Sequence, residues 1–195
     1  RFFIYQEEKR PFVLLKWAQT SDGYLDRLRT DNTQAPLSIS NEITRQLTHK
    51  MRSENQSILV STNTVLLDNP SLTVRNWSGK NPVRIALDRQ GRIPKNYNLL
   101  NGRNQTFIFT VNPGEDGHNL EYIPHTFDEN SLQTMLSSIY KKGIHSVLVE
   151  GGAKLLQSFI EAGLWDEAHI EISQQKLCNG VKAPVLNTLP VISEQ

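Results

Sequence analysis

The sequence predicts an α/β domain, because short apolar runs alternate along the chain with amphipathic stretches. Hydrophobic residues make up 37% of the chain, which is low for a globular domain but well above the level of disordered proteins. The chain has 195 residues, no internal repeat and no low-complexity linker. These observations together favour a single domain over residues 1–195.

Six apolar segments bounded by turn residues predict strands. They span residues 12–18, 57–61, 83–88, 106–111, 147–149 and 168–173. The first is almost wholly apolar, which is typical of a central strand with both faces covered. The last alternates apolar and polar residues, which is typical of an outer or an antiparallel strand.

Helices are predicted between the strands, where apolar residues recur with helical spacing. In 41–54, three side chains recur every four residues and are expected to face the core: Ile43, Leu47 and Met51. Ser131 is expected to cap a second helix that ends at Gly143, and a third helix is expected over about 153–162. The remaining segments are loop-rich, and long loops in a compact domain are often functional. They lie near 23–37, 68–82, 89–105 and 112–130.

The charge of the chain is balanced overall but unevenly divided. The chain has 21 basic and 20 acidic residues, a formal net charge of +1, which argues against a general nucleic-acid binder. Residues 1–98 hold 15 basic and 9 acidic groups, whereas residues 99–195 hold 6 and 11. This division suits a cleft whose anion-binding groups come mostly from the first half, or it reflects scattered surface charge.

Several classes of protein are excluded by what the sequence lacks. No apolar run approaches ~18 residues, which excludes a membrane span. The single cysteine, Cys178, rules out an internal disulfide and agrees with a reducing, cytoplasmic setting. The five histidines show no metal-ligand spacing, so no metal is expected. The sequence also contains no P-loop, no glycine-rich dinucleotide fingerprint, no nucleophile elbow and no zinc-deaminase motif.

The strongest local pattern is Val149-Glu150-Gly151-Gly152-Ala153, in which a buried strand ends in a carboxylate and two glycines open a helix. Glycines let the backbone approach a ligand closely, and a helix N-terminus offers free N–H groups. Ligands of open α/β sheets also bind at the carboxyl ends of strands. The pattern therefore predicts a ligand site with Glu150 at its edge; the alternative is an ordinary strand-to-helix turn with a solvated glutamate.

A second candidate site follows the strand at 57–61, in a stretch dense in capping and turn residues. A short helix could start within residues 62–64, and Pro70 would end it because the residue before a proline avoids the α region. Asp68 and Arg75 could then face one cleft. The alternative is a capped turn with an exposed aspartate.

Two cations occupy informative positions. Lys16 lies inside the apolar first strand, where burial is costly unless the ammonium is paired or functional, although it could also extend to solvent from the strand end. Arg52 lies at the end of the first predicted helix. It could neutralise the negative helix terminus or bind a phosphate with two parallel hydrogen bonds.

Together these segments resemble the C-terminal reductase domain of the bifunctional riboflavin-biosynthesis deaminase/reductase. The segments that carry the resemblance are 10–23, 39–40, 49–52, 57–60, 64–75, 82–88 and 149–152. Its specific part is the combination of Thr64-Val65-Leu66-Leu67-Asp68-Asn69-Pro70-Ser71-Leu72-Thr73-Val74-Arg75 with the later Val149-Glu150-Gly151-Gly152. The resemblance covers about residues 10–186, nearly the whole chain.

The resemblance implies a dihydrofolate-reductase-like fold, with three layers and a mostly parallel central sheet flanked by helices, usually in a homodimer. It implies NADPH as the hydride donor. The implied substrate is 5-amino-6-(5-phosphoribosylamino)uracil, a phosphorylated ribosylaminopyrimidine whose ribose is reduced to a ribityl chain in riboflavin biosynthesis. The family's deaminase domain would precede Arg1, and its absence from this chain agrees with the missing initial Met and the missing zinc motif.

The resemblance also assigns roles to individual residues. The catalytic positions of the family are matched by Lys16, Asp68 and Glu150, of which Glu150 would read the pyrimidine ring. The substrate-side positions are matched by Arg52, Leu72 and Arg75, with the arginines holding the phosphate. The cofactor positions are matched by Ala18, Thr20, Thr64, Asp68, Gly151, Gly152, Ala153 and Lys154, and the helix start over 152–158 would carry the diphosphate.

The sequence departs from the family pattern in three places. Many members have a Ser-x-Trp pair where this chain has Pro36, Leu37 and Ser38, so a tryptophan contact is missing. Arg89 replaces the family's serine after the strand at 83–88 and could pair with the 2′-phosphate of NADPH. The chain also stops soon after residue 186, where the family usually adds a last strand or hairpin.

Two other functions stay open on the sequence alone. One is a reductase of the same fold that acts on a folate or another pterin. The other is a non-catalytic nucleotide-binding or dimerisation module, which the missing tryptophan favours. The presence of Lys16, Asp68, Arg75 and Glu150 argues against this second alternative.

Overall fold

The structure, a computed structural model, describes residues 1–186. The strands in this part are β1 Phe12–Thr20, β2 Tyr24–Asp26, β3 Ser57–Ser61, β4 Val83–Leu87, β5 Thr106–Thr110, β6 Leu120–Pro124, β7 Ser146–Val149, β8 Glu167–Ser173 and β9 Val181–Lys182. The helices are α1 Phe2–Glu7, α2 Glu42–Glu54, α3 Thr62–Asp68, α4 Ser131–Lys141 and α5 Ala153–Glu161, with a 3-10 turn at Asn98–Leu100.

Seven strands form one sheet in the order β6-β5-β4-β3-β7-β1-β8, and each neighbouring pair in it is parallel. The expectation of a mostly parallel sheet flanked by helices is therefore confirmed. β8 is an outer strand, as its alternating sequence predicts, but it pairs with β1 in the parallel sense. A separate antiparallel ribbon joins β2 and β9.

Each face of the sheet is covered by its own hydrophobic cluster, because successive side chains of a strand point to opposite faces. On one face, Val13, Leu15 and Trp17 of β1 belong to a cluster that includes buried residues of α4 and α5. On the other face, Ile58 and Val60 of β3 belong to a cluster that includes residues of α3 and of the segment 93–99. This second face also carries Lys16.

Two expectations about helices are corrected by the structure. Ile43 and Leu47 do not face the core: they are 69% and 46% exposed. The physical reason is that α2 turns a polar side inward and buries Thr48 and His49. Ser131 is the first residue of α4 and does not cap it; its hydroxyl lies 2.9 Å from His125 Nε2.

Short elements at the periphery are missed by the sequence patterns. β6 lies within the expected loop 112–130. Four of its five residues are partly buried and Pro124 is exposed, so the strand lacks the apolar run that marks the other strands. The strand expected over 83–88 ends at Leu87. Asp88 leaves the strand because its carboxylate accepts hydrogen bonds from the N–H groups of Arg92 and Ile93, at 3.0 and 2.9 Å.

Arg84 of β4 is a buried cation that organises the amino-terminal edge of the sheet. Its residue is 1% exposed, and burial lowers the pKa of Arg84 to about 10. The guanidinium donates to Thr106 Oγ1 at 2.8 Å and to the carbonyls of Asn98 and Asn104 at 2.9 and 3.1 Å. No carboxylate in residues 1–186 forms an ion pair with it. Its role is therefore to satisfy buried acceptors.

We expect Arg84→Met to lower the free energy of unfolding by about 2–4 kcal/mol, because the carbonyls and the hydroxyl would lose their donor inside the protein. Urea unfolding of both proteins measures the difference. Arg103→Met, at an exposed position of the neighbouring loop, is the matched control. A loss below about 1 kcal/mol for Arg84→Met would contradict this account of the buried cation.

Candidate active site

The carboxyl edge of the sheet brings the two strongest sequence motifs together. β3 and β7 are neighbours in the sheet, so α3, which follows β3, lies beside the glycine turn that follows β7. Ser61 caps α3 by accepting a hydrogen bond from the N–H of Thr64 at 3.3 Å. A ligand that binds one motif would therefore meet the other.

The glycine turn leaves no room for a side chain at Gly152 and very little at Gly151. Gly152 has a φ of 88°, and a Cβ added there would overlap the hydroxyl of Ser61. A Cβ at Gly151 would lie 3.0 Å from Cγ2 of Thr64. α5 then begins at Ala153 without a side-chain cap, so the N–H groups of its first turn are not satisfied by a capping side chain. The turn is suited to a negatively charged group that approaches the backbone.

Glu150 and Arg52 form a nearly buried ion pair with two parallel hydrogen bonds. Arg52 Nε lies 2.8 Å from Oε1, and Nη2 lies 2.5 Å from Oε2. Their side chains are 12% and 8% exposed. Burial works against the charge of Arg52, but the Glu150 carboxylate outweighs it, so the pKa of Arg52 lies above its ordinary value. Each carboxylate oxygen retains acceptor capacity for a ligand N–H group.

Asp68, the last residue of α3, is held by an arginine that the sequence reasoning did not consider. Arg29 Nη2 donates to Asp68 Oδ1 at 2.6 Å. Asp68 remains 32% exposed through its side chain. The next residue, Asn69, accepts the N–H of Asn98 at 2.7 Å, which ties this end of α3 to the 3-10 turn. Asp68 is thus fixed from two sides.

Lys16 is paired rather than free at the strand end. Its ammonium lies 3.9 Å from Glu171 Oε2, and the lysine side chain is 13% exposed. β1 and β8 are in register with Ala18 opposite Glu171, so the two charged side chains share one face of the sheet. Ser40, just before α2, donates to the same Glu171 oxygen at 2.6 Å. The pairing accounts for a charged residue inside an apolar strand.

His49 connects α2 to the segment that carries Arg75. The histidine is 4% exposed, and its Nδ1 accepts the N–H of Arg75 at 3.3 Å. Burial, followed by the charges of Arg52 and Arg75, lowers the pKa of His49 below its ordinary value. The guanidinium of Arg75 is exposed, and within residues 1–186 it forms no ion pair. Of the two arginines expected to hold a phosphate, Arg75 is therefore the uncommitted one.

The remaining predicted residues lie around this edge but do not form one contact set. Ala18 shares the Lys16 face of β1 and is partly buried, whereas Leu72 is 3% exposed and has a φ of 53°. Lys154 is exposed, and with Ala153 it lines a groove of about 390 Å³. Arg89 is exposed at the end of β4, with its guanidinium 5.9 Å from the ring centre of Phe127.

Thr20 is fully buried, and its hydroxyl serves the turn after β1. It donates to Asp22 Oδ1 at 2.6 Å and accepts the N–H of Tyr24 at 3.0 Å. The hydrogen bond from Thr20, with others from the backbone of Cys178 and Leu177, lowers the pKa of Asp22. The contacts of Thr20 thus shape the turn that leads into β2.

Three residues of the site were missed: Arg29, His49 and Glu171. Glu171 had a sequence signal, because the alternation in 168–173 puts one charged face on an otherwise apolar strand. His49 stands in the segment 49–52, which carries the family resemblance, without a role assigned to it. Arg29 lies in a loop without periodicity, so its inward orientation has no sequence signature.

Two further observations concern ions and membranes. Within the described residues, no three His, Cys, Asp or Glu side chains are grouped closely enough to hold a metal ion. Over the same range, no helix has both the length and the apolar character needed to cross a membrane.

Comparison with known proteins gives one family match. The family described as RibD C-terminal domain matches residues 11–173. The chain is 33% identical over 188 residues to riboflavin biosynthesis protein RibD of Aquifex aeolicus, covering 92% of this chain and 51% of that protein. It is 30% identical over 186 residues to the 2,5-diamino-6-ribosylamino-4(3H)-pyrimidinone 5′-phosphate reductase of the same organism, covering 91% and 83%. The chain thus spans about half the length of the first of these relatives.

Solved structures agree with this match. The crystal structure of a diaminohydroxyphosphoribosylaminopyrimidine deaminase/5-amino-6-(5-phosphoribosylamino)uracil reductase from Thermotoga maritima superimposes with a TM-score of 0.80 at 32% identity, covering 100% of this chain and 53% of that chain. Dihydrofolate reductase from Enterococcus faecalis shares the fold with a TM-score of 0.53 at 12% identity, covering 90% and 79%. The expected dihydrofolate-reductase-like fold is confirmed.

The lowered pKa of His49 predicts that the protein loses stability in mild acid. Above the unfolded-state value of about 6.5 the histidine is neutral in both states, and its contribution is fully present. As the pH falls below that value, the unfolded chain takes up the proton first, so the free energy of unfolding declines. We expect a smaller decline in His49→Gln, measured by urea unfolding at pH about 7.5 and 5.5.

The exposed His118 provides the control for this measurement, because its replacement by Gln leaves the buried contact with Arg75 intact. His125 also has a pKa lowered by burial and is left unchanged in all variants. An equal decline in wild type and His49→Gln would show that His49 does not contribute to the acid sensitivity.

Proposed function

The chain belongs to the RibD C-terminal domain family, and we propose that it uses NADPH to reduce the ribose of 5-amino-6-(5-phosphoribosylamino)uracil to a ribityl chain. The relatives that support this proposal are proteins of riboflavin biosynthesis and a pyrimidinone 5′-phosphate reductase. The observation that carries it is the close packing of Gly151 and Gly152 against the start of α3, beside Glu150. The carboxylate of Glu150, the guanidinium of Arg52 and the glycine turn then border the carboxyl edge of the sheet.

The residues around the glycine turn fit a dinucleotide diphosphate. The turn excludes any Cβ at Gly152, and the first turn of α5 has no side-chain cap, so backbone N–H groups can face the phosphates. Thr64 would line the same cradle. Arg89, at the end of β4, is our candidate for the 2′-phosphate. NADPH, when bound, supplies the hydride.

The side chains of this chain would bind and orient the substrate. Glu150, immobilised by Arg52, would accept hydrogen bonds from N–H groups of the pyrimidine ring. Arg75 would hold the 5′-phosphate, because its guanidinium is exposed and uncommitted. The catalytic work of the protein is then mainly positioning and electrostatics.

Lys16 and Asp68 would assist the opening of the ribose ring and the accompanying proton movement. Hydride transfer is expected at C1′ of the open-chain imine form of the substrate. Lys16 is held by Glu171 and Asp68 by Arg29, so both groups are oriented before the substrate arrives. The ammonium and the carboxylate offer a proton donor and a proton acceptor on one sheet edge.

The direct test is oxidation of NADPH by the purified protein with the proposed uracil substrate. The second substrate to assay is 2,5-diamino-6-ribosylamino-4(3H)-pyrimidinone 5′-phosphate, because the name of a relative specifies it. NADH and dihydrofolate complete the comparison. We expect turnover with a phosphoribosylaminopyrimidine and preference for NADPH. Turnover with dihydrofolate alone would establish the pterin reductase instead, and NADPH binding without any turnover would indicate a nucleotide-binding module.

Asp68→Asn is expected to lower kcat by ~10²-fold or more, because the amide cannot take up a proton at the reacting ribose. Steady-state NADPH oxidation measures the change. Glu129→Gln removes a carboxylate at an exposed position before α4 and should leave kcat unchanged. Activity near wild type in Asp68→Asn would remove Asp68 from the catalytic residues.

Arg75→Ala is expected to raise KM for the phosphorylated substrate by about tenfold or more with little change in kcat, because it removes binding common to ground and transition states. The analogue without the 5′-phosphate should show the same KM with wild type and with Arg75→Ala. Arg103→Ala serves as the exposed control. An unchanged KM for the phosphorylated substrate would assign the phosphate to another residue.

Homodimer formation, a single domain over 1–195 and a cytoplasmic location stay predictions. The exposed Ile43 and Leu47 on α2 are apolar groups that a second copy could cover. The last strand or hairpin usual in the family would fall after residue 186, outside the described residues.

A further inference from the structure

The segment 26–37 is a compact loop closed by one carboxylate. Asp26 Oδ1 accepts the N–H of Arg27 and the N–H of Leu37, both at 2.8 Å, so the two ends of the loop are held together. Loops of this length with adjoining ends are compact units that often serve function. This loop includes Pro36 and Leu37, two of the three positions where the sequence departs from the family's Ser-x-Trp pair.

Arg29 extends from this loop into the candidate site. Its side chain is only 3% exposed. Nε donates to Asp26 Oδ2 at 2.7 Å, Nη2 to Asp68 Oδ1 at 2.6 Å, and Nη1 to the carbonyl of Leu67 at 3.2 Å. A further hydrogen bond of Nη1 reaches the carbonyl of Gln34 within the loop, also at 3.2 Å. One guanidinium therefore joins the loop, the end of α3 and Asp68.

A second contact fixes the loop over the same helix end. Asn32 Nδ2 donates to the hydroxyl of Tyr97 at 3.2 Å, and that hydroxyl donates to the carbonyl of Leu66 at 3.3 Å. The last carbonyls of α3 are thus satisfied by groups that the loop supplies or contacts. A cation is also favoured at a helix C-terminus, where the backbone carries partial negative charge.

The Asp68 carboxylate is held through one oxygen. Its hydrogen bond to Arg29 uses Oδ1, and among the described residues no donor reaches Oδ2. The side chain retains partial exposure. Oδ2 is therefore the oxygen available to a ligand, and the Arg29 contact determines where it points.

We propose that Arg29 is a positioning residue that orients the Asp68 carboxylate and couples this orientation to closure of the 26–37 loop. The proposal rests on the proposed function in that Asp68 acts on the substrate. Arg29 itself is committed to protein acceptors and does not contact the reacting atoms. Asp26 completes the arrangement by holding Arg29 from the loop side.

The kinetic test compares Arg29→Met with Arg27→Met, since Arg27 is exposed two residues away. We expect kcat to fall about 10- to 100-fold in Arg29→Met, with a much smaller change in KM, and no change in Arg27→Met. Arg29→Lys should recover part of kcat. In the Asp68→Asn background, Arg29→Met should lower kcat little further, because the carboxylate that Arg29 orients is already lost. If the fold-decreases in kcat of the two single variants multiply fully in the double variant, the proposal is overturned.

Hydrogen exchange tests the coupling without turnover. Backbone amides of 30–35 should exchange faster in Arg29→Met and also in Asp68→Ala, because either change releases the loop from α3. Unchanged exchange of this loop in Asp68→Ala would overturn the coupling. If both variants speed up exchange in the loop but the wild type turns over no phosphoribosylaminopyrimidine, the proposed function fails. The link between the loop and the Asp68 carboxylate then still stands.

Discussion

The close approach between the glycine turn and the start of α3 is the constraint on which the site depends. Because Gly152 has no room for a Cβ and Gly151 has very little, the chain after β7 can lie directly against Ser61 and Thr64. This contact sets the direction in which α5 leaves the sheet and places Glu150 beside α2. A side chain at Gly152 would push the two motifs apart, and the turn that we propose binds the diphosphate would no longer face the residues that follow β3.

Ion pairs between separate elements fix the charged groups of the site. Arg52 of α2 holds Glu150 after β7, Arg29 of the 26–37 loop holds Asp68 of α3, and Glu171 of β8 holds Lys16 of β1. Nearly buried pairs such as Arg52–Glu150 lose much of their Coulomb gain to desolvation, so they contribute more to geometry than to stability. Two of the three pairs join the basic first half of the chain to its acidic second half. The uneven division of charge thus reflects, in part, internal pairing between the two halves.

The sequence predicted the fold far better than the contacts within the site. The central strands were visible because burial on both faces demands continuous apolar runs, as in 57–61 and 147–149. The inward face of α2 was predicted wrongly, because the pattern of Ile43 and Leu47 suggests a core contact while the helix buries His49 instead. The partners of Lys16, Asp68 and Glu150 could not be predicted. Each partner is distant in the chain and is brought close only by the tertiary fold, which no local pattern encodes.

The buried guanidinium of Arg84 links the far edge of the sheet to the candidate site. It donates to the carbonyl of Asn98, and Asn98 in turn donates two hydrogen bonds to Asn69, the residue after Asp68. For protein engineering, the connection between β4 and β5 is therefore a structural support of α3 and not an exchangeable surface loop. A graft that shortened it would remove the support beneath the last turn of α3. Arg89, which we propose for the 2′-phosphate, belongs to the same connection, but its guanidinium lies over the ring of Phe127 and is the better place to test cofactor specificity.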